Sequence, residues 1–356
     1  MVASALETFK TKGIMKKVAV VILNYNGKKF LEEFLPNVIA NTNAELADIV
    51  VADNASTDGS ADLMRERFPE IRLIENGSNG GFATGYNLAL RQIEAEYYVL
   101  LNSDIEVTPR WIEPIIALMD SDRRIAACQP KILSYYEKEK FEYAGAAGGF
   151  IDKYGYPFCR GRVFQHLEED RGQYDDTYEV FWATGACMFV RADLYLGYGG
   201  LDDSFFAHME EIDFCWRMKN LGYKIYCCPQ SKVYHIGGGT LPKSSSRKTY
   251  LNFRNNLSLL YKNLPDNRVF WVIAYRIMLD WVAAVKFLFG ASLADFWAVT
   301  QAHFAFYKRI PSIRKERRKL KNHPVSQMYQ RNIVFENFLK GKKKYSDLNP
   351  EQFSHS

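Results

Sequence analysis

The chain has 356 residues, of which 47% are hydrophobic and 15% aromatic, so it is long enough to bury a large core. This is an ordinary globular composition, and we expect one long domain with an appendage rather than several small domains. The formal net charge of +5 is modest, and we expect no nucleic-acid partner.

The cysteines and the N-terminus indicate a cytoplasmic protein. The six cysteines include no CxxC pair of the metal-binding type, and the first residues lack the apolar core of a signal peptide. Reduced thiols fit both observations. Because Met15 and two lysines directly precede the first predicted strand, we interpret residues 1–16 as a dispensable leader.

From Val18 to about Leu133, short β-branched runs alternate with amphipathic segments, which is typical of a right-handed βαβ sheet. Asp58 is expected to cap the second helix, and Pro109 suits the first turn of the fourth. The pattern predicts strands near 18–23, 47–53, 71–75, 97–102 and 125–133, with helices over 28–41, 59–67, 82–94 and 109–120.

The remainder of the chain divides into three parts. Residues 134–180 lack periodicity and predict a long loop region with a hairpin near Gly155. A strand at 186–190, a helix over 210–221 and strands near 224–228 and 231–235 complete the main domain, 17–240. Helices are predicted to about residue 306, which gives a helical region at 241–310 and a basic tail at 311–356.

The helical region has two interpretations. Val269–Phe289 is strongly apolar, but Arg276, Asp280 and Lys286 interrupt it, which argues against a simple membrane span. Its aromatic residues beside a basic tail suit a helix lying at a membrane interface. Packing on the main domain or on a second subunit is the alternative, so a homo-oligomer stays open.

Three of the predicted strands end on polar side chains. The first ends on Asn24, the second on Asp53, and the fourth on the run 102–104, which reads Asn-Ser-Asp. Ligands collect beyond the carboxyl ends of the strands in an open parallel sheet, so these side chains are expected to face a single crevice.

The two carboxylates at these ends suit different tasks. Asp104, with Asn102 and Ser103 before it, can hold a divalent cation that neutralises a diphosphate, although the three residues alone also fit a turn. Asp53 can only accept hydrogen bonds, so it would select the N3–H of uracil or thymine. A turn aspartate is the alternative there, and Tyr25 can add a ring contact.

The segment 79–87, NGGFATGYN, places glycines at the opening of a helix, where backbone N–H groups can meet phosphate or ribose oxygens. It is neither GxGxxG nor a P-loop, which weakens a dinucleotide or ATP-hydrolase interpretation. Tight packing of the helix on the sheet explains Gly85 equally well.

Acids and a histidine follow later in the chain. Glu210 and Glu211 point about 100° apart on a helix, so only one is expected to reach a reacting hydroxyl. Asp213 also fits a simple pair with Arg217. His235 ends a strand and precedes the glycines 237–239, a segment able to close over a ligand. Its neutral imidazole can complete a cation's shell with Asp104, or it is an ordinary strand-end histidine.

These segments together resemble the family 2 glycosyltransferases, and more narrowly the rhamnosyltransferase-like bacterial members of the GT-A fold. The resemblance spans about residues 17–240 and rests on the order and spacing of its motifs. They read VVILNYNG, VADNASTDGS, NGGFATGYN, LLNSDIEV, TGACMFVR, FFAHMEEIDFCWR and VYHIGGG. It implies an α/β, Rossmann-like, mostly parallel sheet flanked by helices, with a helical C-terminal extension.

The resemblance also implies residue roles. Asp104 would be the surviving acid of a DxD-like motif for Mg²⁺ or Mn²⁺, with His235 as a further ligand, and Glu211 would be the catalytic base with Glu210 as its close alternative. Asn102 and Glu211 depart from the family, because many relatives have aspartate at both positions. The expected nucleotide contacts are Asn24, Tyr25, Asp53, Asn54, Ser56, Asn79, Gly81, Gly85, Asn87, Asn102 and Ser103; the expected sugar contacts are Trp182, Thr184, Gly185 and Asp213.

The implied activity is an inverting transfer of a sugar from a UDP- or dTDP-sugar to a hydroxyl of a saccharide acceptor in cell-surface polysaccharide synthesis. A lipid-linked acceptor would bring the protein to the inner face of the cell membrane. A nucleotide-sugar pyrophosphorylase is one alternative, although its glycine-rich, basic start is absent after the first strand. A non-catalytic nucleotide-sugar-binding or membrane-associated protein is the other.

Overall fold

A computed structural model describes residues 16–237, 245–290, 292–320 and 323–355. The predicted leader, apart from Lys16, lies outside these residues, as do Gly238 and Gly239. The strands are β1 (Val18–Asn24), β2 (Ala47–Asp53), β3 (Arg72–Glu75), β4 (Tyr97–Asn102), β5 (Ile105–Val107), β6 (Ile125–Ser134), β7 (Gly149–Asp152), β8 (Pro157–Cys159), β9 (Arg162–Val163), β10 (His166–Leu167), β11 (Tyr178–Val180), β12 (Cys187–Arg191), β13 (Lys224–His235) and β14 (Met328–Tyr329).

The helices fall between the strands in the first half of the chain and follow one another in the second half. They are α1 (Lys28–Asn41), α2 (Ser60–Arg67), α3 (Gly81–Leu90), α4 (Glu113–Ser121), α5 (Ala192–Gly197), α6 (Glu210–Asn220), α7 (Ser246–Asn263), α8 (Asp266–Phe289), α9 (Leu293–Arg317) and α10 (Ile333–Phe338).

Within the described residues, the main sheet has nine strands in the order β11-β13-β6-β12-β4-β1-β2-β3, with β5 paired to β13. The pairs among β1, β2, β3 and β4 are parallel, as is β6 with β13, whereas β12 runs antiparallel between β4 and β6. Alternate residues of each central strand enter separate apolar clusters on the two faces of the sheet. The predicted mostly parallel α/β sheet flanked by helices is therefore confirmed.

Two predicted helix limits were wrong. The fourth helix begins at Glu113, with Pro114 in its first turn, and Pro109 lies in the preceding turn beside Arg110, whose φ is 59°. The third helix ends at Leu90 rather than 94. Asp58 does accept a hydrogen bond from the Ser60 N–H, at 3.1 Å, as expected of a residue that starts α2.

The region predicted as a long loop contains a second sheet. Its strands are ordered β10-β9-β8-β7-β14, and the expected turn at Gly155 joins β7 to β8. Strand β14, which pairs in parallel with β7, comes from the predicted basic tail. The predicted limit at residue 310 falls inside α9, and residues 323–355 include the strand and helices that pack on the small sheet, so a separate tail was the wrong description of them.

Candidate active site

The polar ends of three strands lie side by side, as the sequence predicts. In the parallel register of β1 with its neighbours, Asn24 is opposite Asp53 and Leu23 is opposite Asn102. A Cβ atom placed on Gly27 would lie 2.5 Å from the Asn24 Oδ1 atom and 3.4 Å from the Ser103 Oγ atom, so both side chains border the turn after β1. The carboxyl edge of the sheet therefore carries one contiguous polar surface.

Asp53 is held in a fixed orientation at this edge. Its Oδ1 atom accepts hydrogen bonds from Asn24 Nδ2 at 2.9 Å and from Ser56 Oγ at 2.6 Å, and its Oδ2 atom accepts one from the Ser56 N–H at 2.8 Å. The buried Oδ1 atom of Asn24 has no hydrogen-bond partner in the described part of the chain. A buried polar atom without a partner is unfavourable unless a ligand satisfies it, so this corner is suited to a hydrogen-bonding ligand.

Asn54 and the glycines of α3 set how closely the helix approaches the sheet. The Asn54 amide donates to the Gly81 carbonyl at 3.0 Å and accepts from Asn76 at 2.8 Å. A Cβ atom on Gly85 would collide with Asn54, which supports the packing explanation for that glycine. Gly81 has a φ of 84°, a value that favours glycine, and its Cβ would strike the Phe206 carbonyl.

Asp104 and His235 meet beside this surface. The Nε2 atom of His235 lies 3.2 Å from Asp104 Oδ1 and 3.4 Å from the Asn102 amide nitrogen. His235 and Asp104 are both buried. On the far side of the ring, Nδ1 lies 3.4 Å from a carboxylate oxygen of Glu142. Burial opposes the charge, but Glu142 and Asp104 together raise the pKa of His235 to about 10. The same contact lowers the pKa of Asp104 against the effect of burial.

The Asp104–His235 pair supplies two candidate cation ligands. Among the described residues, no group of three or more His, Cys, Asp or Glu side chains is arranged to hold a metal ion. The Asp104 Oδ1 and His235 Nε2 atoms nevertheless lie close enough to share one cation once the imidazole loses its proton. Glu142 lies at the other ring nitrogen, where carboxylates orient metal-binding histidines. Two protein ligands fit a cation that takes its other ligands from a diphosphate and water.

Glu210 and Glu211 begin α6 near the same edge. Burial, followed by the charge of Glu211, raises the pKa of Glu210 well above its usual range, and burial raises the pKa of Glu211 to about 7. One carboxylate oxygen of each has no hydrogen-bond partner in the described residues. A Cβ atom on Gly185 would lie 2.9 Å from the Phe82 ring and 3.8 Å from the Glu211 Cβ, so the TGAC segment and α3 border this pair.

The turn before α6 is strained, and hydrogen bonds from α7 and α3 hold it in place. Phe206, His208 and Met209 have φ values of 69°, 70° and 77°, which non-glycine residues rarely adopt. The amide of Asn255 on α7 donates to three carbonyls in this turn, at 2.8 to 3.0 Å. Phe82 N–H donates to the Phe206 carbonyl at 2.8 Å, so the strained turn also sits on the start of α3.

Three of the predicted ligand contacts are corrected. The Asn87 side chain is buried among Leu201, Asp203 and Tyr195, and it joins α3 to the turn before α6. Trp182 is a core residue whose indole donates to the Phe150 carbonyl at 2.8 Å. Asp213 has no exposed surface, because cationic and amide side chains surround it.

Asp213 is instead the centre of a buried ion-pair network. It pairs with Arg217 and Lys262, each at 2.8 Å, and Asn263 donates to its other oxygen at 2.8 Å. The predicted pair with Arg217 is present, and α7 supplies the other two partners. Thr184 is likewise buried, and its N–H donates to the Gln129 Oε1 atom at 3.0 Å. Gly185 borders the Glu210–Glu211 pair, because a Cβ atom on it would lie 3.8 Å from the Glu211 Cβ atom.

Sequence reasoning missed Glu142 and Asn255. Glu142 lies in the stretch without periodicity, and it reaches His235 because an isolated bridge joins Leu133 to Phe141. Asn255 lies in an amphipathic helix, where an isolated asparagine gives no functional signal. Tyr25 and Asn79 are exposed, as a ligand contact requires, and their role stays a prediction.

Comparisons with known proteins agree with this architecture. A sequence model of glycosyl transferase family 2 matches residues 19–197. The chain is 25% identical over 231 residues to the N-acetylglucosaminyl-diphospho-decaprenol L-rhamnosyltransferase of Mycobacterium tuberculosis, a match covering 61% of this chain and 75% of the relative.

Two solved structures share the fold. S. aureus TarS 1-349 in complex with UDP-GlcNAc gives a TM-score of 0.54 at 15% identity, covering 84% of this chain and 83% of that one. The mannosyltransferase PcManGT from Pyrobaculum calidifontis in complex with GDP-Man and Mn²⁺ gives a TM-score of 0.50 at 16% identity. This match covers 86% of this chain and 85% of the mannosyltransferase. The predicted GT-A fold is thereby confirmed.

Proposed function

Because the chain belongs to glycosyl transferase family 2, we propose that it moves a sugar from a UDP- or dTDP-sugar to a hydroxyl of a saccharide acceptor, with inversion at the anomeric carbon. The observation that carries this proposal is the meeting of three features at one edge of the sheet. They are an oriented carboxylate at Asp53, the Asp104–His235 pair, and two adjacent glutamates with raised pKa values, of which Glu210 is buried and Glu211 half-buried.

The nucleobase would bind at Asp53. A carboxylate held by Asn24 and Ser56 keeps its acceptor character, which suits the N3–H of uracil or thymine and disfavours cytosine. The unpartnered Oδ1 atom of Asn24 offers a second acceptor close by. Tyr25, exposed next to it, would cover one face of the base.

The diphosphate would lie between Asp104 and the start of α3. Asp104 and His235 would hold Mg²⁺ or Mn²⁺, and the cation, when bound, stabilises the charge that develops on the leaving diphosphate. The N-terminal end of α3 adds partial positive charge there, with the N–H groups of Gly81 and Phe82 already bonded to Asn79 and Phe206. Gly81 lets Phe206 pack closely against this turn, because a side chain at position 81 would meet the Phe206 carbonyl.

Glu211 would act as the base. A carboxylate with a pKa near 7 is ionised in about half of the molecules at neutral pH, and it binds a proton strongly enough to remove one from a hydroxyl as the new bond forms. The acceptor oxygen then bonds to the anomeric carbon on the face opposite the departing diphosphate, which gives inversion. The proton goes to Glu211 and the bonding electrons go to the nucleotide.

The acceptor proposal draws on the relatives. The mycobacterial relative is named for a lipid diphosphate that carries N-acetylglucosamine. We propose a saccharide acceptor of the cell envelope on a lipid carrier, used by this protein at the cytoplasmic face of the membrane.

A donor screen followed by a labelled transfer assay tests this function. Nucleotide sugars would be added with Mn²⁺, and the correct donor is expected to raise the unfolding temperature, since ligand at 100 times its dissociation constant stabilises by about 2.7 kcal/mol. The sugar-labelled donor is then given a saccharide acceptor. Transfer of the label to the acceptor supports the proposal, whereas formation of labelled sugar 1-phosphate and nucleoside triphosphate on addition of pyrophosphate would identify a pyrophosphorylase instead.

A further inference from the structure

Helices α8 and α9 expose an unusually apolar surface, here named the aromatic face. On α8 it comprises Phe270, Trp271, Met278, Val282, Val285 and Phe289, and on α9 Leu293, Trp297, Phe304 and Tyr307. Trp271 is 72% exposed, Phe304 65% and Phe289 87%. Contiguous exposed apolar surface of this kind marks a site of interaction.

The aromatic face is a continuous stripe on each helix. At about 100° per residue, its members cover about a third of the circumference of α8 and about a quarter of that of α9. The opposite side of each helix is buried, as Val272 and Ala284 on α8 and Val299 and Phe306 on α9 show. Trp281 of α8 contacts Phe296 of α9, which contacts Trp297, so the two stripes adjoin.

The charges around the aromatic face have one sign. On α9 the stripe continues past Tyr307 as Arg314 and Lys315, with Arg318 one turn later, and Lys286 lies beside the stripe on α8. All four are exposed, and none has a carboxylate within 4 Å in the described part of the chain. The acids of the two helices are already engaged, Asp266 by Arg317, Asp280 by Arg276, Asp295 by Thr249 and Glu316 by Lys319.

A cationic cleft borders the same stripe. Lys153 and Arg268 line it together with the rings of Tyr154, Trp271 and Tyr275. Neither cation lies within 4 Å of a carboxylate in the residues that the structure describes. The edge of the aromatic face at the start of α8 therefore offers two unpaired positive charges beside aromatic rings, a combination that suits the phosphate group of a lipid.

We propose that the aromatic face binds the surface of an anionic lipid bilayer, with α8 and α9 lying in the plane of the interface. Aromatic and aliphatic side chains enter the headgroup and acyl boundary, and the flanking lysines and arginines meet the lipid phosphates. A second copy of the chain is a poorer partner, because a two-fold interface would bring two identical basic sets together, and the described acids of α8 and α9 are already paired within the chain.

Membrane binding would place the active site close to the lipid. On the side of α9 opposite the aromatic face, the guanidinium of Arg309 donates to the Ser204 carbonyl, in the turn that leads to Glu210. That turn thus lies about one helix diameter, roughly 10 Å, from the bound surface. A carrier-linked acceptor would reach the site from this side, but lipid binding by the aromatic face does not depend on the catalytic activity.

Vesicle flotation without any donor tests the proposal. Wild-type protein is expected to bind vesicles of phosphatidylcholine and phosphatidylglycerol in equal parts at least tenfold more tightly than phosphatidylcholine alone, and added salt should weaken that binding. The double variant Trp271→Gln, Phe304→Gln should lose at least tenfold in binding to both vesicles. The double variant Arg314→Gln, Lys315→Gln should show this tenfold loss of binding with anionic vesicles only.

Tyr136→Gln, which changes an aromatic residue that is 74% exposed outside the aromatic face, is the matched control and should bind like wild type. Thermal unfolding establishes that each variant is folded. The proposal is overturned if wild-type protein ignores anionic vesicles, or if Tyr136→Gln and the double variant lose binding equally. A dimer in sedimentation that Trp271→Gln dissociates would instead identify a second copy as the partner.

Discussion

The imidazole of His235 lies 3.2 Å from the carboxylate of Asp104, although the two residues belong to distant parts of the chain. The antiparallel pairing of β13 with β5 places His235 opposite Ile105, the residue that follows Asp104. A strand pairing, rather than a local motif, therefore assembles the proposed cation site. In the sequence alone, His235 fits either a cation ligand or an ordinary strand-end histidine, because a single histidine carries no metal signature of its own.

Removal of the cation is expected to abolish both donor hydrolysis and transfer. Chelation with EDTA should stop release of the nucleotide diphosphate, and excess Mn²⁺ should restore it. Asp104→Asn, which keeps the shape of the side chain but loses its charge, should raise the Mn²⁺ concentration required by at least about tenfold. Asp62→Asn, an exposed carboxylate paired with Arg65, is the control and should need no more Mn²⁺ than wild type.

Asp53→Asn is expected to weaken uridine nucleotide binding by about tenfold or more. The N–H of Ser56 and the amide of Asn24 both donate to the carboxylate of Asp53. In the asparagine variant the NH2 group would face one of these donors, and an acceptor for the base would be lost. Calorimetry of UDP with each variant measures the effect. Unchanged UDP affinity would remove Asp53 from the nucleotide site, and Asp48→Asn on the exposed side of β2 serves as the comparison.

Most of the sheet could be predicted, because strands β1, β2 and β4 each contain an uninterrupted apolar run of four or more residues and end on a polar residue. Their shared edge follows from parallel topology alone. The small sheet could not be predicted, since β9 and β10 are two residues long and β14 joins β7 from the far end of the chain. Strands this short have no period to detect.

The site residues divide in the same way. Asp53, Asp104 and the two glutamates stand at element ends, where the sequence signals polar chemistry, and the structure brings them to one edge. In the sequence, Asn87 and Asp213 give the same polar signal as these site residues. In the structure, however, the segment before α6 buries Asn87 and α7 buries Asp213. Whether a polar residue faces the crevice or a neighbouring helix depends on tertiary packing, which local patterns do not contain.

Asp213→Ala is expected to destabilise the protein strongly. The side chain is fully buried between Arg217 and Lys262, so its removal leaves the buried Arg217 guanidinium without a counter-ion and Lys262 with Asp202 as its remaining partner. Loss of one partner of a buried ion pair typically lowers the free energy of unfolding by about 3–5 kcal/mol. Urea unfolding measures this difference. Asp193→Ala on α5 provides a matched removal of a carboxylate outside the network, and a similar loss in both variants would contradict the assignment.

The pH dependence of transfer should report Glu211. Because burial raises its pKa to about 7, kcat/KM is expected to rise about tenfold per unit at low pH and to level off above a midpoint near 7. The profile would be measured between pH 5 and pH 8 in steps of about one unit. A flat profile would show that no group with a pKa near 7 limits kcat/KM.

The same shift predicts a stability effect with a definite sign. The folded-state pKa of Glu211 lies above that of the unfolded chain, so the unfolded state releases its proton first and stability falls as the pH rises from about 4.5 to about 7. Glu211→Gln has no proton to lose. It should therefore gain stability relative to wild type at pH 8, by about 1–3 kcal/mol, and much less at pH 4.

The most direct test of the central claim compares Glu211→Gln with wild type in the labelled transfer assay. A proton-accepting carboxylate contributes about 10²- to 10⁴-fold to the rate, so the variant should lose transfer by that factor while it still binds donor and Mn²⁺. Glu210→Gln should lose less, and Glu316→Gln, an exposed carboxylate on α9 paired with Lys319, should lose nothing. If Glu211→Gln and Glu210→Gln both transfer sugar at the wild-type rate, neither glutamate is the base and the account is contradicted.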